Sequence, residues 1–402
     1  SFNGNPFPHP TLIGLTPFIS ISLFGLNDLA LKFSSLIIFV IFSFYIFNKY
    51  SFYTNSFQSL MITLSIISIP GIVYLGISVE QALWSTICYT IVLFQITEKP
   101  KPNYKIIFIT ILFFSFFRIL ALTSLSILFF YILYNSKSLK NFYQQSLEAT
   151  KNSYPLLYIL PFLSYSFINK SNITVDRLGI DFTKIDFFTE KLPYVLVDSF
   201  TIPVAIFISI LILISLILFK KTLLVFSFTI VQIAVFAQVI TLNNKYSYEI
   251  IYPLIIFLTY IILKYKKNYL KKFVFLISFI IFSSNLIILK NINSYCQNFK
   301  NPIDENYAYN NRFGCRIHDS KPFQLSNGYN FLKNYNNFSF EELYVPGVYY
   351  SILPSIINGM KVGEYKKHYE INGYQNMLNA KNKIDWHSAD ANLINSDKRI
   401  KY

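Results

Sequence analysis

The chain has 402 residues, of which 53% are hydrophobic, 19% are aromatic and only 14% are charged. A soluble domain carries about 25% charged residues, whereas apolar runs long enough to approach the roughly 20 residues of a membrane span recur along this chain. The net charge of +15 does not indicate nucleic-acid binding, because membrane orientation requires lysines in the short loops between spans, and the composition predicts a polytopic membrane protein.

The first 28 residues are interpreted as a loop followed by a short helix. The opening "SFNGNPFPHP" is rich in Asn, Gly and Pro, and residues 11–26 are apolar but contain Thr16 and Ser20 on one helical face. This pattern predicts an amphipathic helix on the outer membrane surface. The alternative is a spanning helix, which would place His9 in the cytoplasm.

Apolar runs follow, charged only near their ends at Lys32, Lys105 and Lys264. Each must be helical because lipid offers no partner for backbone polar groups. They cover residues 29–48, 57–75, 81–97, 105–117, 119–135, 153–169, 200–219, 222–242, 250–264 and 273–289. The sequence therefore predicts an all-α transmembrane bundle of about 10 spans over residues 29–290.

Lysines in alternate loops predict the orientation of this bundle. The lysine-rich loops, which we assign to the cytoplasm, contain Lys49, Lys99, Lys101, Lys105, Lys137, Lys140, Lys151, Lys220, Lys221, Lys264, Lys266, Lys267, Lys271 and Lys272. The other loops contain fewer basic residues: Arg118, Lys170, Arg177, Lys184, Lys191 and Lys245. By parity, the segment before the first span and the tail lie outside.

The tail, residues 291–402, is rich in Asn, Tyr, Lys and Gly and mixes strand-like and helix-like stretches. We expect a small α+β extramembrane domain here. Cys296 and Cys315 would lie where disulfides persist, and their pairing would close a loop of about 20 residues and stabilise it by roughly 3 kcal/mol. The third cysteine, Cys88, lies in an apolar run and is expected to be a packing residue.

The opening stretch "HPTLIGLTPFISISLFGLNDLALKFSSLIIF" resembles a pattern of GT-C membrane glycosyltransferases, within the group of protein O-mannosyltransferases and aminoarabinose transferases. That pattern is His-Pro-Pro-Leu, an apolar helix, Leu-Phe-Gly, then Ala-Leu-Arg and a transmembrane run. Here Thr11 stands for the second Pro and Lys32 for the usual Arg, so the match is partial.

Two further stretches are similar to the same family, and the resemblance extends over about residues 1–290. "IPGIVYLGISVEQALWSTICY" resembles the corner between the third and fourth helices, with Glu80 or, in another register, Gln81 as the matching polar residue. "NNKYSYEIIYPLIIFL" resembles the late Arg-Tyr…Pro motif entering a span, with Lys245, Tyr246 and Pro253 in the matching positions.

The resemblance implies sugar transfer from a polyprenyl-phosphate-linked donor to a lipid, glycan or protein acceptor on the extracytoplasmic face. In the family an acidic pair after the first helix precedes the His-Pro loop and supplies the base. Since "SFNGNPFPHP" opens this sequence without Met, we expect that helix and its carboxylate to lie upstream. The resemblance assigns Glu80 a catalytic role and leaves a divalent metal ion open as a cofactor.

Physical chemistry points independently to polar groups bordering the spans. A phosphate leaving group needs positive charge, and Arg118 interrupts the apolar stretch "FFSFFRILAL", where its planar fork suits a phosphate. The resemblance adds His9, Lys245 and Tyr246, and these three residues with Arg118 are the candidate substrate-binding residues. The alternatives are a snorkelling Arg118, a solvated loop charge at Glu80, a structural His9 and a helix-end anchor at Lys245.

Two other activities stay open. A transporter or flippase of lipid-linked saccharides would place charges near the bilayer midplane and repeat its helices, whereas the predicted span interiors lack charges and no internal repeat is visible. A glycan polymerase or ligase would need large outer loops with basic residues. The lysine-rich, cysteine-poor chain favours a bacterial inner membrane with a periplasmic active face.

Overall fold

The computed structural model describes most of the helical region and short strands near the C-terminus. The described residues are 15–24, 28–77, 81–98, 101–160, 202–237, 245–265, 268–291, 343–344, 382–385, 392–395 and 399–401. The described part of the chain is mostly helical, which confirms the predicted class at this level.

The described residues up to 160 form eight α-helices. They are α1 (Leu15–Phe24), α2 (Asp28–Ser51), α3 (Ser56–Ile67), α4 (Pro70–Ile77), α5 (Gln81–Glu98), α6 (Tyr104–Ser115), α7 (Leu125–Asn135) and α8 (Leu139–Asn152). Two 3₁₀ helices, Ile119–Ser124 and Tyr154–Ile159, precede α7 and follow α8. The predicted run 57–75 is thus interrupted between α3 and α4, where Pro70 starts a new helix.

Four further helices follow: α9 (Ile202–Leu216), α10 (Phe219–Ala237), α11 (Lys245–Tyr265) and α12 (Asn268–Lys290). The predicted run 222–242 is described to residue 237, and the run 153–169 to residue 160. Asn285 joins α12 to the α3–α4 bend, since its Nδ2 donates to Ser65 O at 3.3 Å and to Ser68 Oγ at 3.1 Å.

Three helical segments within the described residues are long and apolar enough to cross a membrane: Phe33–Ser51, Tyr248–Tyr265 and Asn268–Lys290. Shorter apolar helices include α3, α6 and the Ile119–Asn135 segment. These features are consistent with a membrane protein. The number of about 10 spans stays a prediction.

Helix α11 lies at the centre of the bundle. Of its apolar segment Tyr248–Tyr265, 83% is buried inside the protein, whereas only 22% of an apolar 18-residue stretch of α12 is buried. A helix that is apolar all round is expected in such a central position, and α5, α9 and α10 pack around it. The core therefore surrounds α11, and any polar side chain on α11 is presented to neighbouring helices.

Lysines from two of the lysine-rich loops lie at one end of the bundle. Lys49 Nζ lies 2.6 Å from Glu98 Oε2, Lys264 Nζ donates to Thr97 O at 3.3 Å, and Lys271 Nζ donates to Tyr53 O at 2.9 Å. The C-terminal ends of α2, α5 and α11 are thus together, as the loop pattern predicts. We refer to this end as the lysine-rich end, and its cytoplasmic location stays a prediction.

Helix α1 lies within the predicted surface segment, but it exposes Ser22 and not the face of Thr16 and Ser20. Ser20 is buried and Thr16 half-buried, whereas Phe18, Leu23 and Phe24 are exposed. The polar face thus lies against the protein, where α2 packs, and apolar side chains point outward. Its placement on the outer membrane surface stays a prediction.

Four short strands are described in the tail: β1 (Leu343–Tyr344), β2 (Asn382–Asp385), β3 (Asn392–Asn395) and β4 (Arg399–Lys401). They form one sheet in the order β1-β2-β3-β4, with β1 parallel to β2 and the other pairs antiparallel. The register pairs Ile384 with Leu393 and Leu393 with Ile400. The α+β domain over 291–402 stays a prediction, and Cys296 and Cys315 lie outside the described residues.

Candidate functional site

Arg118 lies at the corner between α6 and the Ile119–Ser124 helix. Its backbone is extended, its N–H donates to Phe114 O at 2.9 Å, and its carbonyl accepts from the Ala121 N–H at 2.9 Å. A stacked aromatic pair holds this corner against α5: the ring centroids of Phe117 and of Trp84 on α5 are 3.9 Å apart. This corner directs Arg118 into the bundle, where only 7% of the residue is exposed.

The guanidinium of Arg118 is paired with a carboxylate on the central helix. Its Nη2 lies 3.0 Å from Glu249 Oε1, and Ser85 Oγ on α5 donates to the same oxygen at 2.8 Å. Glu249 is fully buried. A buried charge requires such a partner and hydrogen bonds to offset its lost hydration, so the three residues form one electrostatic unit.

A second group of hydrogen bonds begins one turn along α5 from Ser85 and joins α5 to α10. Tyr89 Oη donates to Leu120 O at 2.8 Å, Thr123 Oγ1 donates to Tyr89 Oη at 3.1 Å, and Gln232 Nε2 donates to Thr123 Oγ1 at 2.5 Å. We call Ser85, Tyr89, Arg118, Thr123, Gln232 and Glu249 together the Arg118 cluster. It connects α5, α10, α11 and the 3₁₀ corner within otherwise apolar packing.

The Arg118 cluster lies toward the end of the bundle opposite the lysines. Ser85 is the fifth residue of α5 and Glu249 the fifth of α11, so both lie about 6 Å from the start of their helices. From Ser85 to Glu98, at the lysine-rich end, α5 rises about 20 Å, against a hydrocarbon core of about 30 Å. Arg118, which pairs with Glu249, therefore lies near the first turns of α5 and α11, at the end of these helices opposite Glu98.

This location rules out one alternative from the sequence. The snorkelling alternative for Arg118 is wrong, because its side chain is buried against Glu249 instead of reaching the surface. The expectation that span interiors lack charges stays a prediction, since Glu249 lies one residue before the predicted run 250–264, within a helix that begins at Lys245.

The chain matches no protein-family model, no curated protein and no solved structure. The GT-C resemblance therefore stays a hypothesis based on the quoted motifs. What the structure adds is the surroundings of Arg118 and of α11.

The other predicted site residues are only partly located. His9 and Glu80 lie outside the described residues. Lys245 and Tyr246 form the first two residues of α11, one turn before Glu249, and the structure describes their backbone but not their side chains. Of the predicted set, the structure thus brings Arg118 together with the first turns of α11.

Glu249 is the residue that sequence reasoning missed. It lies inside the quoted stretch "NNKYSYEIIYPLIIFL", but a span defined as charge-free begins only at residue 250. The signal was present, because an ionisable residue at the border of an apolar run is a candidate functional group. Pro253 adds to it, since proline has no N–H to donate to the carbonyl four residues earlier, which is that of Glu249.

Metal binding was left open by the resemblance. Within the residues that the structure describes, no group of three or more His, Cys, Asp or Glu side chains is placed to hold a metal ion. The chemistry available in the Arg118 cluster is instead that of a buried guanidinium, a carboxylate and hydroxyl groups.

Proposed function

We propose that this chain is an integral-membrane glycosyltransferase of the GT-C type, which transfers a sugar from a polyprenyl-phosphate-linked donor to a lipid, glycan or protein hydroxyl. The observation that supports it best is the buried Arg118–Glu249–Ser85 unit near the ends of α5 and α11 opposite the lysines. We place the chain as a multi-pass protein of about 10 spans in a bacterial inner membrane, with its active face in the periplasm.

In this proposal Arg118 binds the donor phosphate. The leaving group carries negative charge as the sugar–phosphate bond breaks, and a fixed cation at low dielectric stabilises that charge. A guanidinium has five N–H donors in a planar fork. Such a fork matches the geometry of phosphate oxygens.

Glu249 and Ser85 act as positioning residues. The carboxylate holds the guanidinium in place before the donor arrives, so the site needs little reorganisation when phosphate charge develops. Because Glu249 Oε1 already accepts from Arg118 and Ser85, we do not assign it as the base. In the proposed site Glu80 assists the base, and His9, Lys245 and Tyr246 contact the donor.

The test measures the transfer of radiolabelled sugar from a polyprenyl-phosphate donor. The full-length protein is reconstituted in liposomes for this assay. We expect Arg118→Ala to lower kcat about 100-fold or more, as removal of a charge-stabilising donor does, with a smaller loss for Glu249→Gln. The matched control is Glu98→Gln, which disrupts the ion pair with Lys49 at the lysine-rich end and should leave the rate unchanged. Wild-type rates in Arg118→Ala and Glu80→Gln would remove both residues from the site.

A second candidate, transport of a lipid-linked saccharide, is favoured by one observation. Glu249 is an ionisable residue fully buried within a helix long enough to span a membrane, and such residues also occur in transport pathways and proton relays. The two functions differ in a proteoliposome assay with a fluorescent lipid-linked sugar. A transferase changes the chemical product and leaves the leaflet distribution unaltered, whereas a flippase does the reverse.

A further inference from the structure

Helix α8 packs against the lysine-rich half of the bundle through one face. Ser138 Oγ accepts from the Asn141 N–H at 3.2 Å and caps its first turn. Ala149 is buried, Phe142 packs against the core, and Glu148 Oε1 lies 2.9 Å from Lys101 Nζ before α6. These contacts fix the rotation of α8 about its own axis.

The fixed rotation leaves an apolar stripe uncovered. Leu139, Tyr143 and Leu147 follow each other at intervals of four residues, so they lie on one side of the helix, and they are 88%, 66% and 41% exposed. Helix α8 connects α7 with the helical segment that begins at Tyr154. Because α7 and the segment from Tyr154 are both apolar, the exposed stripe of α8 lies level with the ends of these two segments.

Basic side chains border this stripe on the side away from the protein. At about 100° per residue, Lys140 and Lys151 lie roughly 60° and 80° around the helix from Tyr143, and Gln144 lies roughly 100° around it. Lys137 precedes the helix. Between residues 101 and 152, the exposed charged residues are Lys101, Lys105, Lys137, Lys140 and Lys151, while the carboxylate of Glu148 is already paired.

We propose that α8, with its flanking lysines, binds the anionic headgroups of the leaflet at the lysine-rich end. The stripe would enter the boundary between headgroups and acyl chains, Lys140 and Lys151 would lie at headgroup level, and Gln144 would face water. Apolar area and lysines adjacent to it are the two features by which amphipathic helices bind anionic membrane surfaces. The excess of lysines over carboxylates selects acidic over zwitterionic lipids.

The first test measures lipid retention by native mass spectrometry of the full chain, purified from equal mixtures of phosphatidylglycerol and phosphatidylethanolamine. Lys140→Gln/Lys151→Gln should lower retained phosphatidylglycerol about tenfold or more, because each lysine near an anionic surface strengthens binding severalfold. The control Lys220→Gln/Lys290→Gln removes the same charge from α10 and α12 and should change it little. Equal retention in both double variants would overturn the proposal.

The second test locates the stripe directly. A fluorophore attached at Tyr143→Cys, in a background with Cys88, Cys296 and Cys315 replaced by Ser, should be quenched by nitroxide-labelled lipid in phosphatidylglycerol liposomes. The same fluorophore at Gln144→Cys should be quenched more by aqueous iodide. Iodide quenching at residue 143 as strong as at residue 144 would place the stripe in water. Protection of residue 143 from both quenchers would place the stripe against protein. Either result contradicts the proposal that lipid covers the stripe.

Discussion

Arg118 and Glu249 lie where neither charge would be stable alone. Their ion pair is nearly dry, with 9% of the Arg118 side chain and none of the Glu249 side chain exposed. In such pairs the attraction roughly offsets the cost of removing both charges from water, whereas loss of one partner leaves the other charge buried. Stability and function therefore respond differently to changes at these two positions.

We predict that Arg118→Leu or Glu249→Leu alone destabilises the folded protein by about 3–5 kcal/mol, and that Arg118→Leu/Glu249→Leu together lies within about 1 kcal/mol of wild type. SDS titration of the purified protein in mixed micelles measures these differences. In the proposed transferase the double variant stays inactive even though its stability returns.

The Lys49–Glu98 pair supplies the matched control for this experiment. Its side chains are 18% and 30% exposed, so Glu98→Gln should cost less than about 1 kcal/mol. If Arg118→Leu costs no more than Glu98→Gln, the buried pair does not have the energetic role assigned to it.

At the scale of single residues, the sequence predicted one half of this pair. Arg118 interrupts an apolar stretch and so was visible without a structure, whereas Glu249 was hidden by the rule that defined its span as charge-free. The contact itself depends on how α6, α5 and α11 pack, and no local pattern encodes such a distance. The burial of Arg118, which rules out the snorkelling alternative, depends on the same packing.

Among the elements, close packing of α4 on α11 depends on a glycine. A Cβ added at Gly71 would overlap the ring of Tyr248, which is fully buried and adjacent to Glu249. The absence of a side chain at Gly71 thus lets α11 approach α4 at the level of the Arg118 cluster.

We predict that Gly71→Ala destabilises the protein by about 1–3 kcal/mol through overpacking, and that the loss is smaller in a Tyr248→Leu background, where the ring is absent. A double-mutant cycle by SDS titration measures the coupling between the two positions. Additive effects would mean that the two side chains do not compete for the same space.

Element positions were predictable because the apolar runs are long and charges mark their ends. The helices α2, α5, α11 and α12 match the predicted runs to within a few residues. The breaks were not predictable from hydropathy alone. Pro70 divides the run 57–75. Helix α6 ends at Ser115, and a 3₁₀ turn follows Arg118 instead of an immediate α-helix.

For the whole molecule, the central claim is that the lysine-rich end and the Arg118 cluster face opposite sides of a membrane. The contacts of Lys49, Lys264 and Lys271 bring the lysine-rich loops to one end, and α12 runs from that end to Lys290 at the other. Orientation by lysines then assigns the first end to the cytoplasm.

Labelling of single cysteines tests this arrangement most directly. The two variants are Phe52→Cys, in the lysine-rich α2–α3 loop, and Lys290→Cys. Both are made in a background in which Cys88, Cys296 and Cys315 are replaced by Ser. The labelling uses a membrane-impermeant maleimide on bacterial spheroplasts before and after lysis. The account predicts that position 290 reacts in intact spheroplasts and that position 52 reacts only after lysis. Reaction of position 52 in intact spheroplasts, with position 290 protected until lysis, would contradict it.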